Sequence, residues 1–282
     1  NRYITSPAME LQMQYINPIQ IKLFGKKLET WKKDMNADTK VRIQYSSKHA
    51  TLANSWKYYI GQNEGLEKLN IIAARKKDED AYTTWAKSSD SNKKYAEVMN
   101  EYSQAVNSYK DVVAQVFYLT YAGKACEALR KKKKLNKVKT EISKKPNDAN
   151  ALNNSISEAK KSAEEFYKDY NTQTDFNVVC AMMLLYLNDI PLAQLPPCIA
   201  KIANGKGKNN EEKVFNWATK LFEKSIFVSQ EKFNKWLSKP NVKSLEKDPL
   251  ILFNDELTQY SNNVLSPIQQ KYASHTEKLK RL

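Results

Sequence analysis

A regular stripe of tyrosine, valine and alanine constrains the fold of this chain more than any other feature. Its members recur at alternating steps of three and four residues, which is the spacing of one face of an α-helix. They are Tyr95, Val98, Tyr102, Ala105, Tyr109, Val112 and Val116. The stripe predicts a helix of about thirty residues that packs on a partner helix along its length. We interpret it as core. The alternative, an intermolecular helical scaffold, is excluded if the chain is monomeric and the stripe is internally buried.

The composition extends the helical prediction to the whole chain. The 282 residues include six glycines and nine prolines, too few for the many turns of an all-β fold. No strand pattern is longer than the ambiguous residues 41–45. We therefore expect an all-α fold, an irregular bundle of long and short helices without a substantial sheet, forming a single domain over residues 1–282. The longest apolar run, residues 178–187, is too short to span a bilayer and predicts a buried helix.

Capping residues and prolines predict the helix boundaries. Thr5 and Pro7 are typical of a helix start, and Ser229 and Asp248 are typical caps further along the chain. Proline removes a backbone donor, and glycine weakens a helix. Breaks or weak points are therefore expected at Asn17-Pro18, near Gly61 and Gly65, across residues 189–199 and at Pro267.

The charge balance raises the question of an anionic partner. The chain carries 46 basic and 31 acidic residues, for a formal charge of +15. The densest basic run, residues 130–139, could bind nucleic acid or an anionic surface, and this is the alternative functional hypothesis. Because lysine far outnumbers arginine, a solvated helix surface is favoured and no nucleic-acid partner is expected. The basic run itself is interpreted as the carboxyl-terminal end of a helix, where cations suit the helix dipole.

Catalytic and metal-binding motifs are absent from the sequence. The three cysteines, Cys126, Cys180 and Cys198, form no C-x-x-C pair, although one disulfide stays open. His49 and His275 have no metal-ligand spacing, and there is no G-x-S-x-G motif. We expect no catalytic residue, no metal and no cofactor within this chain, and whether the chain is an enzyme by itself stays uncertain.

Residues 41–66 contain the candidate binding residues. Asn54, Trp56 and Lys57 lie close together with two glycines, an unusual combination for a helix that only fills a core. An amide oxygen can accept a proton from an ammonium group, and an indole face can hold a cation or an apolar chain. The structural interpretation is that Asn54 caps a local break and Trp56 is core. The residues alone favour that structural interpretation.

Several motifs resemble one bacterial peptidase family across nearly the whole chain. They are NRYITS (1–6), DMNADTKVRIQYSSKHA (34–50), NSWK (54–57), IGQNEGLEKL (60–69), FNVVCAMMLLYLNDIPLAQLPP (176–197) and DPL (248–250). These motifs are similar to the helical domain of the dipeptidyl-peptidases seven and eleven, which are chymotrypsin-like serine exopeptidases. The motifs of the first seventy residues are specific, and the remainder matches more loosely.

The resemblance implies a cap domain inserted between the parts of a catalytic double β-barrel. The catalytic triad would then lie in flanking sequence, and this chain would be an excised insert that is not itself catalytic. The implied partners are a peptide with a free N-terminus and the β-barrel of the same polypeptide, with a homodimer left open and no membrane span. The implied location is the periplasm or cell surface of a Gram-negative bacterium.

The resemblance also implies a role for each candidate residue. Asn54 would help to hold the α-amino group of the substrate, so that dipeptides are released. Lys57 could influence residues near the second subsite, and Trp56 would pack behind Asn54. Ser55 and Tyr58 depart from the family pattern, in which an aromatic and a small polar residue are more usual. The residue that selects the side chain before the scissile bond would lie outside this chain.

Overall fold

All regular structure in the described residues is helical. The structure, a computed structural model, describes residues 4–144 and 148–280, and no strand occurs among them. The all-α prediction is confirmed. The α-helices are α1 (Ser6–Glu10), α2 (Asn17–Ala37), α3 (Thr39–Lys68), α4 (Ile71–Lys87), α5 (Lys93–Tyr118), α6 (Lys132–Ser143), α7 (Ala149–Lys168), α8 (Thr172–Asp189), α9 (Pro197–Ala203), α10 (Asn210–Lys224), α11 (Gln230–Ser238), α12 (Val242–Glu246), α13 (Pro249–Tyr260) and α14 (Ser266–Lys280).

Short 3₁₀ and π turns join several of these helices. The 3₁₀ turns are Asp90–Asn92, Glu127–Lys131 and Leu192–Gln194, and the π turns are Leu11–Ile16, Leu119–Gly123 and Ser261–Leu265. The sequence also predicts a helix end at Pro146-Asn147, and these residues, like the last two of the chain, lie outside the described residues.

The chain divides into two compact units. The first comprises Asn1–Gly25, Thr51–Thr120 and Gln259–Leu282, and the second comprises Lys26–Ala50 and Tyr121–Thr258. Helices α2 and α3 each contribute residues to both units. That the chain forms a single domain stays a prediction.

The tyrosine stripe forms the core of the first unit. Tyr102, Ala105 and Tyr109 on α5 are buried, and the other four stripe residues are half-buried. Helix α14 packs along α5, and the ring of Tyr272 stacks on Tyr109 with centroids 4.8 Å apart. The predicted partner helix is therefore α14. Since the stripe is covered within the chain, the intermolecular scaffold has no free stripe to use.

The predicted helix breaks at Pro18 and Pro267 are wrong. In both places a π turn leads directly into the next α-helix, Leu11–Ile16 into α2 and Ser261–Leu265 into α14. A π turn pairs each N–H with the carbonyl five residues earlier, as the N–H of Asn17 does with Gln12. A proline then deprives only one carbonyl of its donor, so the helix continues where that carbonyl finds another partner.

One further boundary prediction is corrected, and one helix boundary lies where none was predicted. Helix α3 runs through Gly61 and Gly65 and ends just before Asn70, which adopts the left-handed conformation with φ of 46°. Asparagine tolerates this conformation, so the turn needs no glycine. Residues 189–199 are not all loop, because α9 begins at Pro197. Proline suits the first turn of a helix, where its missing N–H would have no intrahelical acceptor.

The apolar run predicted as a buried helix lies in α8, in the second unit. Val178, Val179, Met182 and Met183 are buried. Within residues 4–144 and 148–280, the helices lack the length and apolar character that spanning a membrane would require. The predicted caps of two later helices are confirmed at Ser229, which accepts from the N–H of Lys232, and at Asp248, which accepts from the N–H of Leu250.

A buried carboxylate fixes the first turn of α8 to the 3₁₀ turn Glu127–Lys131. Asp175 accepts hydrogen bonds from the backbone N–H groups of Glu127 at 2.8 Å and Ala128 at 3.2 Å. The Tyr170 hydroxyl donates to it at 3.0 Å and the Cys126 thiol at 3.3 Å. Burial raises the pKa of Asp175 above its ordinary value. Its donors are provided by the fold, so we assign Asp175 a structural role.

Candidate functional site

The predicted binding residues lie on the part of α3 that belongs to the first unit. Asn54, Lys57, Tyr58 and Gly61 are exposed to solvent. Their spacing of three, four and seven residues places them on one face of the helix. The structure therefore brings Asn54 and Lys57 together on one open surface, which we call the Asn54 face.

Trp56 lies on the opposite, half-buried face of α3. Its indole N–H donates a hydrogen bond of 3.0 Å to the backbone carbonyl of Ile21 on α2. The close approach depends on Gly25, because a Cβ at that position would lie 3.3 Å from the indole nitrogen. The ring of Tyr59 also contacts Phe24, with centroids 5.9 Å apart. This half of α3 is therefore held against α2 by Trp56 and its neighbours.

A cluster of amide side chains holds α3 at a second place, which we call the amide cluster. Fully buried Asn17 donates from its side-chain nitrogen to Gln62 Oε1 at 3.0 Å and to Asn63 Oδ1 at 2.6 Å. Asn63 in turn donates to the backbone carbonyl of Met13 at 3.0 Å. That carbonyl is the one that lacks a backbone donor because residue 18 is proline. The amide cluster thus stabilises the π turn and anchors α3 in one step.

The amide of Asn54 is free to bind a ligand. Within residues 4–144 and 148–280 it makes no hydrogen bond, and it caps no helix break because α3 continues past it. The structural interpretation of Asn54 as a local cap is therefore wrong. Its amide oxygen can accept from an ammonium group, and its nitrogen can donate to a carbonyl.

Lys57 places a positive charge about one helical turn from Asn54. Its side chain is exposed, and it forms no ion pair within the described part of the chain. A cation at this distance opposes the binding of an ammonium group, although solvent screens the repulsion. Lys57 is therefore better suited to contact a carbonyl or carboxylate group of a ligand than to contact the ammonium group of that ligand.

His49 and the cysteines offer little chemistry. His49 is half-buried, and desolvation together with the nearby Lys32 ammonium lowers the pKa of His49, which favours the neutral imidazole at neutral pH. All three cysteines are free thiols, so the disulfide left open by the sequence does not form. No group of three potential metal-ligating side chains occurs among the described residues.

The basic run is placed differently from its predicted position. Arg130 lies in a 3₁₀ turn, and the lysines that follow open α6, so the run lies at a helix start rather than at a carboxyl-terminal end. Most of its cations, all except the exposed Lys133, have contacts within the second unit. These contacts are Arg130–Glu127, Lys131 with the Ser162 carbonyl, Lys132–Asp255, Lys134–Glu158, Lys137–Glu158 and Lys139–Glu246.

Sequence reasoning missed the amide cluster. Its members lie 45 and 46 positions apart in the chain, so no local pattern joins Asn17 to Gln62 and Asn63. The available signal was Asn63, an amide seven residues after Trp56 and so on the same helix face, where an apolar residue would be expected.

Comparison with known proteins identifies the family. The sequence model described as Peptidase S46 matches residues 1–282. The chain belongs to the Peptidase S46 family. Among curated relatives, it is 30% identical over 256 residues to dipeptidyl-peptidase 7 of Phocaeicola vulgatus, covering 90% of this chain and 34% of that protein. It is 25% identical over 259 residues to the Asp/Glu-specific dipeptidyl-peptidase of Porphyromonas gingivalis, and this match covers 90% of this chain and 34% of that protein. The S46 chain thus spans about a third of the length of these relatives.

Solved structures share the fold of this S46 chain. A crystal structure of Porphyromonas endodontalis DPP11 in complex with the dipeptide Arg-Glu matches with a TM-score of 0.73 at 20% identity. The match covers all of this chain and 39% of that one. A structure of the same protein in an alternate conformation matches with a TM-score of 0.55, and this match covers 99% of this chain and 36% of that one. The resemblance to dipeptidyl-peptidases seven and eleven is therefore confirmed.

Proposed function

We propose that this chain is the substrate-cleft cap of a serine dipeptidyl-peptidase and that the Asn54 face binds the free α-amino end of the peptide. Membership of the S46 family and the names of the relatives support a peptidase. The observation that carries the specific role is the unpartnered amide of Asn54 on a helix that is anchored from behind.

The chemistry requires an acceptor at a fixed position. The Asn54 amide oxygen accepts a hydrogen bond from the substrate ammonium, which sets the distance between the peptide terminus and the catalytic nucleophile. Binding energy used away from the scissile bond then positions the substrate and makes the enzyme release dipeptides.

Trp56 and Lys57 have separate roles in this proposal. Trp56 holds α3 against α2, which keeps the Asn54 side chain at a fixed position. Lys57 contacts a carbonyl or carboxylate near the second substrate residue, because its positive charge disfavours the ammonium itself.

Flanking parts of the same polypeptide supply the catalysis. In this proposal a double β-barrel outside this chain carries the serine triad, and the cap is non-catalytic. The enzyme acts in the periplasm or at the cell surface, with a homodimer as a further assembly. These points rest on the family and on the share of the relatives that the chain spans.

The test is steady-state kinetics of the full-length peptidase on dipeptidyl substrates with a free amine. Asn54→Ala should lower kcat/KM by about thirty-fold, since a hydrogen bond to a charged group contributes about 2 kcal/mol. The matched control is Asn100→Ala, an exposed asparagine on α5 of the same unit, which should leave kcat/KM unchanged. Equal kinetics for Asn54→Ala and the unmodified enzyme would refute the assignment.

The alternative of a nucleic-acid or anionic-surface module at residues 130–139 receives less support. Six of the seven cations of that run, all except Lys133, already have carboxylate or carbonyl partners within the chain. Binding there would first have to break those contacts, which reduces the gain from counterion release. A gel shift at low salt with single- and double-stranded DNA tests this module, and no shift would eliminate it.

A further inference from the structure

A groove rich in lysine lies in the second unit, separate from the basic run in sequence. It is formed by α9, the segment that follows it, α10 and the start of α13, and its volume is about 520 Å³. A groove of this size is in the range of small-molecule sites. We call it the lysine groove.

The floor of the lysine groove is apolar. The rings of Trp217 on α10 and Phe253 on α13 lie with centroids 4.9 Å apart. Leu252 lies beside Phe253 and is 49% exposed, and Ile202 and Leu221 add buried aliphatic surface. Covering the exposed part of Leu252 removes apolar surface from water, so a ligand with an apolar chain gains from contact with it.

The rim of the lysine groove carries positive charge that the chain does not compensate. Five lysines and one glutamate line it, and they are Lys201, Lys206, Lys213, Lys220, Lys224 and Glu256. Lys201 pairs with Glu256 at 3.4 Å, and Lys213 donates to the Ala203 carbonyl at 2.8 Å. In the part of the chain that the structure describes, Lys206, Lys220 and Lys224 have no carboxylate partner.

The spacing of residues along α10 places lysines and an aromatic ring of the groove side by side. Lys213, Trp217, Lys220 and Lys224 follow one another at steps of four, three and four along α10, so one face of that helix presents both the aromatic floor and the cations. The basic run differs, because six of its seven cations have carboxylate or carbonyl partners within the fold.

We propose that the lysine groove binds a free anionic amphiphile that has one carboxylate head group and one apolar chain, as a fatty acid has. The carboxylate lies among Lys206, Lys220 and Lys224, and the chain lies over Trp217, Phe253 and Leu252. Charge complementarity selects the sign of the head group, and the apolar floor selects against a purely polar anion. This site does not depend on the Asn54 face or on peptidase activity.

Two other anionic partners fit the groove less well. A nucleic acid would need phosphate contacts repeated along its length and bases stacked on exposed aromatic faces, whereas Phe253 is buried in the floor. A membrane surface is recognised by apolar side chains that protrude. This groove is concave, and among its described lining residues Leu252 is the one large hydrophobic residue that is exposed.

The experiment is isothermal titration of the full-length peptidase with laurate below its micelle-forming concentration. We expect saturable binding at one site, weakened at least tenfold by the double charge reversal Lys220→Glu with Lys224→Glu. The matched control reverses Lys160 and Lys161, two exposed lysines on α7 of the same unit, and should leave the affinity unchanged. Leu252→Ser keeps every charge, changes an exposed residue, and should also weaken binding severalfold.

Several outcomes would overturn the proposal. One is no laurate binding, and another is equal binding by the Lys220/Lys224 variant once its melting temperature shows that it is folded. Dodecanol bound as tightly as laurate would remove the role of the charge, and hexaglutamate bound as tightly would remove the role of the apolar floor. Stronger binding to phosphatidylglycerol vesicles or to oligothymidine than to laurate would assign the groove to a membrane or to nucleic acid.

Discussion

The indole N–H of Trp56 donates to the backbone carbonyl of Ile21 at 3.0 Å, which joins α3 to α2 within the first unit. In a regular helix the same carbonyl also accepts from the N–H of residue 25, and a carbonyl oxygen has two lone pairs for two donors. The indole can approach because residue 25 is glycine. Trp56 and Gly25 thus form one of the contacts that support the Asn54 face, beside the amide cluster.

Replacing the indole tests this support. Trp56→Phe removes the donor and keeps most of the ring, so we expect the free energy of unfolding to fall by about 1 kcal/mol. Urea denaturation measures the change. Trp85→Phe is the matched control, since Trp85 is 49% exposed and its ring contacts only tyrosines in the contacts described, so it should change stability by less. Equal losses for the two variants would contradict an anchoring role for the hydrogen bond.

The glycines of α2 and α3 provide a second matched pair. Gly65→Ala places its Cβ in open space within a helix, so the higher helix propensity of alanine should stabilise the chain by about 0.5–1 kcal/mol. Gly25→Ala places its Cβ 3.3 Å from the Trp56 indole nitrogen, so the same gain should be cancelled or reversed as Trp56 is displaced. Thermal unfolding of both variants decides. A gain at residue 25 as large as that at residue 65 would show that Trp56 moves without cost.

Patterns repeated along one helix were predictable from sequence, and contacts between distant residues were not. The stripe from Tyr95 to Val116 contains its own periodicity, so α5 and its need for a partner could be predicted. The predictions at Pro18 and Pro267 were wrong because proline removes only one backbone donor, and at Pro18 a distant side chain replaces it. That side chain is Asn63, which donates to the Met13 carbonyl 50 residues away in the chain.

The same limit applies to the candidate sites. The family resemblance selected Asn54, but only the structure shows that α3 is unbroken there and that the amide is exposed. The basic run drew attention because its lysines are consecutive, yet carboxylates distant in sequence pair with them. Two of the uncompensated lysines, Lys220 and Lys224, share one face of α10, but Lys206 and the floor residue Phe253 lie on other segments, so the groove as a whole is a property of the fold.

The amide cluster should contribute strongly to stability. Asn17→Ala removes a fully buried side chain and leaves Gln12, Gln62 and Asn63 without their shared partner. The free energy of unfolding should therefore fall by about 2–3 kcal/mol. Urea denaturation measures this loss, with Asn100→Ala as an exposed asparagine control near zero. If Asn17→Ala costs less than about 0.5 kcal/mol, the π turn does not depend on the amide cluster.

The three thiols should be slow to react in the folded chain, and their reactivity should keep rising with pH. Burial raises the pKa of Cys180 to about 12, and burial with the nearby Glu256 carboxylate raises that of Cys198 to about 11. Burial and the contact with Asp175 raise the pKa of Cys126 as well. At pH 8 the thiolate fraction of Cys180 is about 10⁻⁴, roughly a thousand times below that of an ordinary thiol.

Titration with a thiol reagent such as dithionitrobenzoate checks both the thiol state and the sign of the pH dependence. In guanidinium chloride all three cysteines should react at once, since none is in a disulfide. In the folded protein the reaction rates of Cys180 and Cys198 should rise about tenfold per pH unit from pH 8 to pH 10, because this whole pH range lies below the pKa of each thiol. The rate of an ordinary thiol approaches its plateau near pH 9. A Cys180→Ser variant assigns the slowest phase. One reactive thiol after denaturation would mean that a disulfide forms, and a plateau near pH 9 would mean that the thiols are not buried.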